Sequence, residues 1–327
     1  MNMGINTIAG AINQAIAEEM RRDDSVIMLG EDVSSGIFGV TAGLGEEFGT
    51  ERICDTPISE NAIVGCAVGA AMTGMRPIAE IMFQDFLTCC MDPIVNQAAK
   101  MHYMSGGAFN VPMVVRSPGG AGLAAGPQHS QTFASWFMGV PGLKVVSPSC
   151  SADAKGLLKS AIRDNNPVIY LENKLLYFET GEVPDDPDFT IPLGQAEIKR
   201  EGTDVTVVAV SGMVPRVLQA ADGLNAEGIS IEVIDPRTLY PLDIETILAS
   251  VIKTGRLVTA EEGVLTCGVG AELAALVAER AYDCLDGPIV RVGTPHVPYA
   301  YNQAMEWATI PDEEEVVAAV KKAVGRS

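Results

Sequence analysis

Basic residues are scarce in this sequence: Lys and Arg number 22 against 42 Asp and Glu, leaving a net charge of -20. Phosphate backbones are gripped by clustered Lys and Arg, so nucleic acid is not the expected partner. Histidine is scarcer still, with only His102, His129 and His296, no two of them at metal-site spacing. The seven cysteines include no C-x-x-C pair, and their odd number and apolar surroundings read as buried free thiols in a reducing compartment. No basic stretch followed by an apolar core opens the chain. The most apolar run, Ala62 to Met75, is too short for a bilayer and is bracketed by Glu60 and Arg76. These absences point to a cytoplasmic location and no membrane partner. Missing too are G-x-S-x-G, G-x-x-x-x-G-K-[ST] and H-E-x-x-H, which leaves a serine hydrolase, a phosphate-loop enzyme and a zinc protease without support. GVGAEL at Gly268 lacks the third glycine of a dinucleotide fingerprint.

What is present is alternation. With 327 residues, 47% of them hydrophobic, the chain is long enough for two cores. Short apolar runs read as buried strands: Val26–Gly30, Pro77–Phe83, Val111–Arg116, Leu143–Pro148 and Pro167–Glu172. Thr7–Met20, Ser59–Met75, Asp85–Met104 and Ala152–Asp164 read as helices, the third bent or broken by Pro93. Strands alternating with helices predict a parallel sheet covered on both faces. The stretch from Phe178 to Gly194 carries three prolines and five acids without a period and reads as a linker. The alternation then restarts and ends on an amphipathic helix, Asp312 to Val324. The expected fold is α/β with two doubly wound domains: residues 1–177, a linker 178–194, and a smaller domain 195–327. A chain of this kind without its own phosphate-binding motif suggests that part of its active site comes from elsewhere.

One carboxylate stands out. In DTPISE (Asp55–Glu60), Pro57 favours an extended backbone, Ser59 is a good N-cap, and Glu60 falls in the first helical turn, where the dipole favours negative charge. Acids are common in first turns, and most do nothing more. Gly65 and Gly69, however, stand four apart on one face with Ala62 and Ala70 near them. That face lets another backbone come close, in a core or at a subunit interface. A carboxyl beside such a seam is desolvated and can share a proton with a ligand nitrogen.

DTPISE, Gly65 and Gly69, AEIMFQDF, YMSGG, GPQHSQ, VPGLKVVSP, AIRDNNPVIYLEN, RTLYPLD, GVGAEL and VPYA occur in this order. With them the chain resembles, over nearly its whole length, the beta subunits of thiamin-diphosphate-dependent 2-oxo-acid dehydrogenases of the pyruvate and acetoin type, members of the transketolase-like superfamily. The resemblance implies a pyrimidine-binding domain followed by a transketolase C-terminal-like domain. It implies that Glu60 contacts the pyrimidine N1′ and sets up proton transfer at the thiazolium carbon. Phe86 then stacks on the pyrimidine, Ile58 and Glu31 belong to the cofactor site, and His129 faces the substrate and helps pass the acyl unit to lipoyl. Imidazole suits that work near neutral pH. Phe83 serves as a contrast, a phenylalanine expected to be plain packing. Glu31 has a blander alternative, a solvated acid beside Asp32.

Met113, Ala161, Asp164 and Asn166 match positions whose backbone oxygens hold potassium in some relatives; the alternative is a helix end with a polar turn. The family holds diphosphate and magnesium with a GDG motif that is absent here. The resemblance therefore implies an alpha subunit carrying that motif, an α2β2 assembly with the cofactor between unlike chains, and a lipoyl acyltransferase partner. The substrate expected is pyruvate or a related 2-oxo acid, or acetoin cleaved by the same chemistry. A reading from another class is a non-catalytic α/β binding or electron-transfer subunit, which leaves the joint presence of Glu60, Phe86 and His129 unexplained.

Overall fold

The computed structural model describes residues 3–325. By its contacts the chain divides into two units, Met1–Gly119 with Trp136–Leu193, and Gly120–Ser135 with Gly194–Ser327. The α/β alternation expected from the sequence is present in both.

The first unit contains β1 (Met3–Thr7), α1 (Ile8–Arg22), β2 (Val26–Gly30), α2 (Leu44–Phe48), β3 (Ile53–Asp55), α3 (Glu60–Met72) and β4 (Arg76–Glu80). It continues with α4 (Ala99–Met104), β5 (Val114–Gly119), α5 (Ala134–Met138), which begins at the edge of the second unit, β6 (Lys144–Val146), α6 (Ser151–Arg163), β7 (Val168–Asn173) and β8 (Thr180–Pro184). Its parallel strands run in the order β6-β7-β5-β4-β2-β3. Strands β5 and β7 are buried at every residue, as a sheet covered on both faces requires. Pro112 has no N–H to give a ladder, and β5 begins two residues after it. The expected helix Asp85–Met104 is broken, as Pro93 dictates: a 3₁₀ turn Gln84–Cys90, a wide π-helical turn Pro93–Ala98, then α4.

Helix α1 starts at Thr7, whose hydroxyl accepts the Gly10 N–H, and packs its apolar face with α6 into the core of this unit. At that junction the buried Lys155 and Lys159 ammonium groups meet the Glu18 carboxylate at 2.9 and 2.5 Å. The stretch 178–194, expected as a linker, opens with β8, which pairs antiparallel with β1. Lys155 Nζ donates to the Pro184 carbonyl at 2.8 Å, and Ile191 N–H donates to Gly156 O at 3.1 Å. Local sequence does not reveal these bonds, because every one spans a long chain separation.

The second unit contains β9 (Glu197–Arg200), β10 (Val205–Ala209), α7 (Met213–Ala226), β11 (Ile231–Asp235), β12 (Thr238–Tyr240), α8 (Ile244–Thr254) and β13 (Leu257–Val264). It ends with α9 (Val269–Arg280), β14 (Val290–Thr294), α10 (Gln303–Trp307) and α11 (Glu313–Ala323). A sheet of order β14-β13-β10-β11-β9 is parallel except for its edge strand β9. Helices α7 and α11 bury Val214, Val217, Val316 and Val320 against it. A capping box, Asp312 with Glu315, starts α11. Among the described residues no helix is long and apolar enough to cross a membrane.

Candidate active site

Ligand sites of open α/β sheets form at the carboxyl ends of the strands. In the first unit that edge is laced together by loop contacts. Thr56 N–H donates to Gly30 O at 2.9 Å, tying the loop after β3 to the end of β2. The Asp55 carboxylate accepts the Ser34 N–H at 2.8 Å and the Ser34 hydroxyl at 2.5 Å. Glu60 follows as the first residue of α3, half-buried, with its charge near the helix N-terminus. Ser59 holds the N-cap position but its side chain makes no cap hydrogen bond, contrary to the expectation from its residue type.

Glu31 stands at the end of β2. Burial raises its carboxyl above the ordinary range, and the charges of Glu60 and Asp32 push the same way. The Cys90 thiol is pushed up to about 12, first by burial and then by the charge of Glu60. Glu31, Glu60 and Cys90 therefore lie close enough for one carboxylate to act on both neighbours. Phe86 joins them from the same turn as Cys90, whose thiol contacts the Phe86 carbonyl at 3.8 Å. The Phe86 ring meets Phe83 edge-on, centroids 5.6 Å apart, and Phe83 meets Phe38 edge-on at 5.7 Å. The Lys174 ammonium lies 5.0 Å from the Phe83 ring centre. Phe83 is thus a packing residue, as expected, and also the hub that fixes Phe86. Ile58, two residues before Glu60, is 80% exposed.

Beneath this edge lies a polar network with no counterpart in the sequence reading. The Arg116 guanidinium, 1% exposed, pairs with Glu172 through Nε at 2.8 Å and Nη2 at 2.5 Å, and with the Glu80 carboxylate. Tyr177 donates its hydroxyl to Glu172. Burial alone lowers the Arg116 pKa, but the two carboxylates outweigh it and hold the group well above its ordinary value. Gln84, at the start of the Phe86 turn, donates its amide to the Glu172 carbonyl at 3.2 Å. The available signal was a charge closing each buried run, Arg116 in VPMVVR and Glu172 in PVIYLE.

The candidate potassium residues stand elsewhere. Met113 precedes β5, and Ala161, Asp164 and Asn166 lie at the end of α6, beside the strand starts Arg76 and Lys144. This is the amino edge of the parallel sheet, opposite Glu60. It is oxygen-rich because the last carbonyls of a helix lack intrahelical donors. Arg76 Nη1 donates to the Ile162 and Asp164 carbonyls at 2.9 and 3.0 Å. The Asp164 carboxylate is held below its usual range: burial raises it, but hydrogen bonds from Lys144 and Asn166 prevail. Several of these carbonyls already have a donor: Met113 O accepts the Val168 N–H at 2.9 Å and Asp164 O accepts from Arg76, so a cation there would use their second lone pairs. Among the described residues no group of three or more His, Cys, Asp or Glu side chains has metal-site form.

His129 belongs to the second unit, in the glycine-rich loop Gly120–Ser135. Gly122 and Gly126 have φ of +110° and +83°, and Ala124 also has positive φ, +52°. The His129 N–H donates to Gly126 O at 3.3 Å, making the turn that carries the half-buried imidazole. Two buried carboxylates hold the loop: Glu262 accepts the Ala121 N–H at 2.6 Å, and Glu306 accepts the Ala124 N–H at 2.6 Å. His102 is exposed, with Nδ1 2.8 Å from Phe109 O, and His296 is exposed. In the GVGAEL segment the start of α9 is filled by the chain itself: Glu261 accepts the Val269 and Gly270 N–H groups at 2.9 and 2.7 Å. The anion position of a dinucleotide fold is therefore occupied by a side chain.

The family model for the transketolase pyrimidine-binding domain matches residues 6–179, and that for the transketolase C-terminal domain matches residues 194–316. The mitochondrial pyruvate dehydrogenase E1 component subunit beta of Bos taurus is 50% identical over 97% of this chain and 90% of its own. The acetoin:2,6-dichlorophenolindophenol oxidoreductase subunit beta of Bacillus subtilis (strain 168) is 45% identical over 98% of this chain and 97% of its own. Among solved structures, a split gene transketolase, described as an inactive beta4 tetramer, matches with a TM-score of 0.80 and 26% identity, over 98% of this chain and 99% of that one.

Proposed function

Because the chain belongs to the transketolase family, with the pyrimidine-binding domain followed by the C-terminal domain, we propose that it is the beta subunit of a thiamin-diphosphate-dependent dehydrogenase that decarboxylates pyruvate or a similar 2-oxo acid. One observation carries the reading: Glu60 opens α3 at the carboxyl edge of the sheet, its charge acting on Glu31 and on Cys90, which shares its turn with Phe86. When bound, thiamin diphosphate supplies the electron sink that decarboxylation needs. Glu60 would hold the proton shared with the pyrimidine ring nitrogen. Phe86 would offer its ring to the pyrimidine, oriented by Phe83, and Ile58 would cover it with apolar surface. Glu31, at the end of β2, would line the cofactor site beside Glu60, its own carboxyl raised by burial and by the charge of Glu60. His129 would give and take the proton when the acyl unit passes to a lipoyl thiol.

The diphosphate and magnesium fall to a partner alpha subunit carrying GDG, since this chain contains no such motif. Two chains of each kind would make an α2β2 assembly, and a lipoyl acyltransferase would accept the acyl unit. The face of α3 bearing Gly65 and Gly69 fits such an assembly: beyond the adjacent residues and the helix's own backbone, no atom of the described chain lies within 4 Å of where a Cβ would stand at either glycine. The carbonyls of Met113, Ala161, Asp164 and Asn166 would hold potassium as a structural ion, away from the chemistry. The match to the Bacillus subtilis protein over nearly its whole length supports the alternative reading, a beta subunit whose substrate is acetoin.

The test is co-expression with a GDG-bearing alpha chain and assay of dye reduction with pyruvate and with acetoin, with and without thiamin diphosphate. Activity should need both chains and the cofactor, and Glu60→Gln should cut it on the order of a hundredfold or more while the assembly persists. Full activity from this chain alone, or an unaffected Glu60→Gln, would refute the split-site reading.

A further inference from the structure

We infer that Glu306 is a positioning residue for acyl transfer, acting through the loop that carries His129. The inference rests on the reading of His129 as the group serving the lipoyl thiol. Glu306 sits on the short helix α10, 0% exposed, while its neighbours Met305 and Trp307 are 62% and 43% exposed. A carboxylate turned inward from an otherwise exposed helix needs polar partners where it points. Both of its oxygens are engaged by the loop. Oε2 accepts the Ala124 N–H at 2.6 Å. Oε1 lies 3.2 Å from the Ser130 hydroxyl, which is also 2.8 Å from Gly126 O, so one proton is shared between the two acceptors.

These two contacts bracket His129. Ala124 precedes the Gly126–His129 turn and Ser130 follows it. Ala124 also has φ +52°, a conformation that alanine avoids unless its surroundings impose it. A charge-assisted bond from its own N–H is such an imposition. Tyr301, just before α10, closes the other side: a Cβ at Gly126 would lie 2.2 Å from its ring. The C-terminal arm therefore grips the loop at three points, and Glu306 supplies two of them. Without that grip the imidazole keeps its chemistry but loses its address.

Glutamine is nearly isosteric and can keep both contacts, since its amide oxygen accepts from Ala124 and its NH₂ donates to Ser130 Oγ. Alanine keeps neither. The experiment compares Glu306→Ala, Glu306→Gln, Ser130→Ala and His129→Ala in the assembled enzyme with its alpha partner. Each is measured for pyruvate-dependent dye reduction and for acylation of a free lipoyl domain. Glu306→Ala should lower lipoyl acylation by roughly tenfold to a hundredfold more than dye reduction, the scale expected for a misplaced group. Glu306→Gln should restore acylation to within about threefold of the parent, and Ser130→Ala should fall between. Equal losses in both reactions for Glu306→Ala, or a Gln variant as impaired as the Ala variant, would overturn the inference. If Glu306→Ala fails to assemble, Ser130→Ala carries the test, and an unchanged ratio of the two activities counts against it. His129→Ala separates the premises. Unimpaired acylation there overturns the reading of His129, whereas impaired acylation with a normal Glu306→Ala overturns the role of Glu306 alone.

Discussion

Replacing both Gly65 and Gly69 by alanine should stabilise this chain on its own and weaken its assembly. Both glycines lie within α3, neither has the positive φ that would require glycine, and beyond the adjacent residues and the helix's own backbone no described atom stands within 4 Å of the methyl each would gain. Within the single chain only helix propensity is at stake. Glycine in a helix interior is less favourable than alanine by about 0.8–1 kcal/mol, so the double variant should gain about 2 kcal/mol. For a unit of this size that is a rise of roughly 4–8 °C in the melting temperature. In a seam where another backbone approaches closely, each added methyl overpacks the contact by about 1–3 kcal/mol. Two of them should weaken association by roughly thirtyfold or more. The assay is thermal unfolding by circular dichroism of the chain alone, with sedimentation of the mixture with a GDG-bearing alpha chain. A double variant that melts lower alone, or that assembles as tightly as the parent, would refute the reasoning.

Arg116→Met strands the Glu80 and Glu172 carboxylates in the interior and should cost about 3–5 kcal/mol in urea unfolding, whereas adding Glu80→Gln and Glu172→Gln should recover most of it; a single variant as stable as the parent would sink this account. Two acids should give opposite pH slopes. Asp164 has a lowered pKa, so its contribution is present above its unfolded value and is lost as pH falls through the folded one; Asp164→Asn should lose stability at neutral pH and little in acid. Glu31 has a raised pKa, so its cost appears as pH rises through its unfolded value and is complete above its folded one. Glu31→Gln should therefore be more stable than the parent near neutrality and equal to it in acid; slopes of the same sign, read from melts across the acid range, would contradict both assignments. Gly126→Ala must hold φ +83° and push the Tyr301 ring aside, and should cost about 1–2 kcal/mol by chemical denaturation; a neutral result would mean that the loop relaxes freely.

The sequence by itself determined what short-range physics encodes. Apolar runs and helical periods gave the strand–helix alternation of both units, because burial on a covered sheet or a helix face leaves its mark within a few residues. Pro93 marked its break, and the stretch DTPISE put Glu60 in a first turn. The long ordered motifs carried the family resemblance. Tertiary structure alone decided what long chain separations bring together. Ser59 stays uncapping despite its residue type, and the stretch with three prolines begins as a strand because β1 is there to pair with it. Arg116 meets Glu172 across 56 residues, and Glu306 reaches Ala124 across 182. A charge closing an apolar run, or an acid in a short C-terminal helix, carries no local sign of such a partner. Its low cost of burial arises only once the fold has placed the matching donor against it.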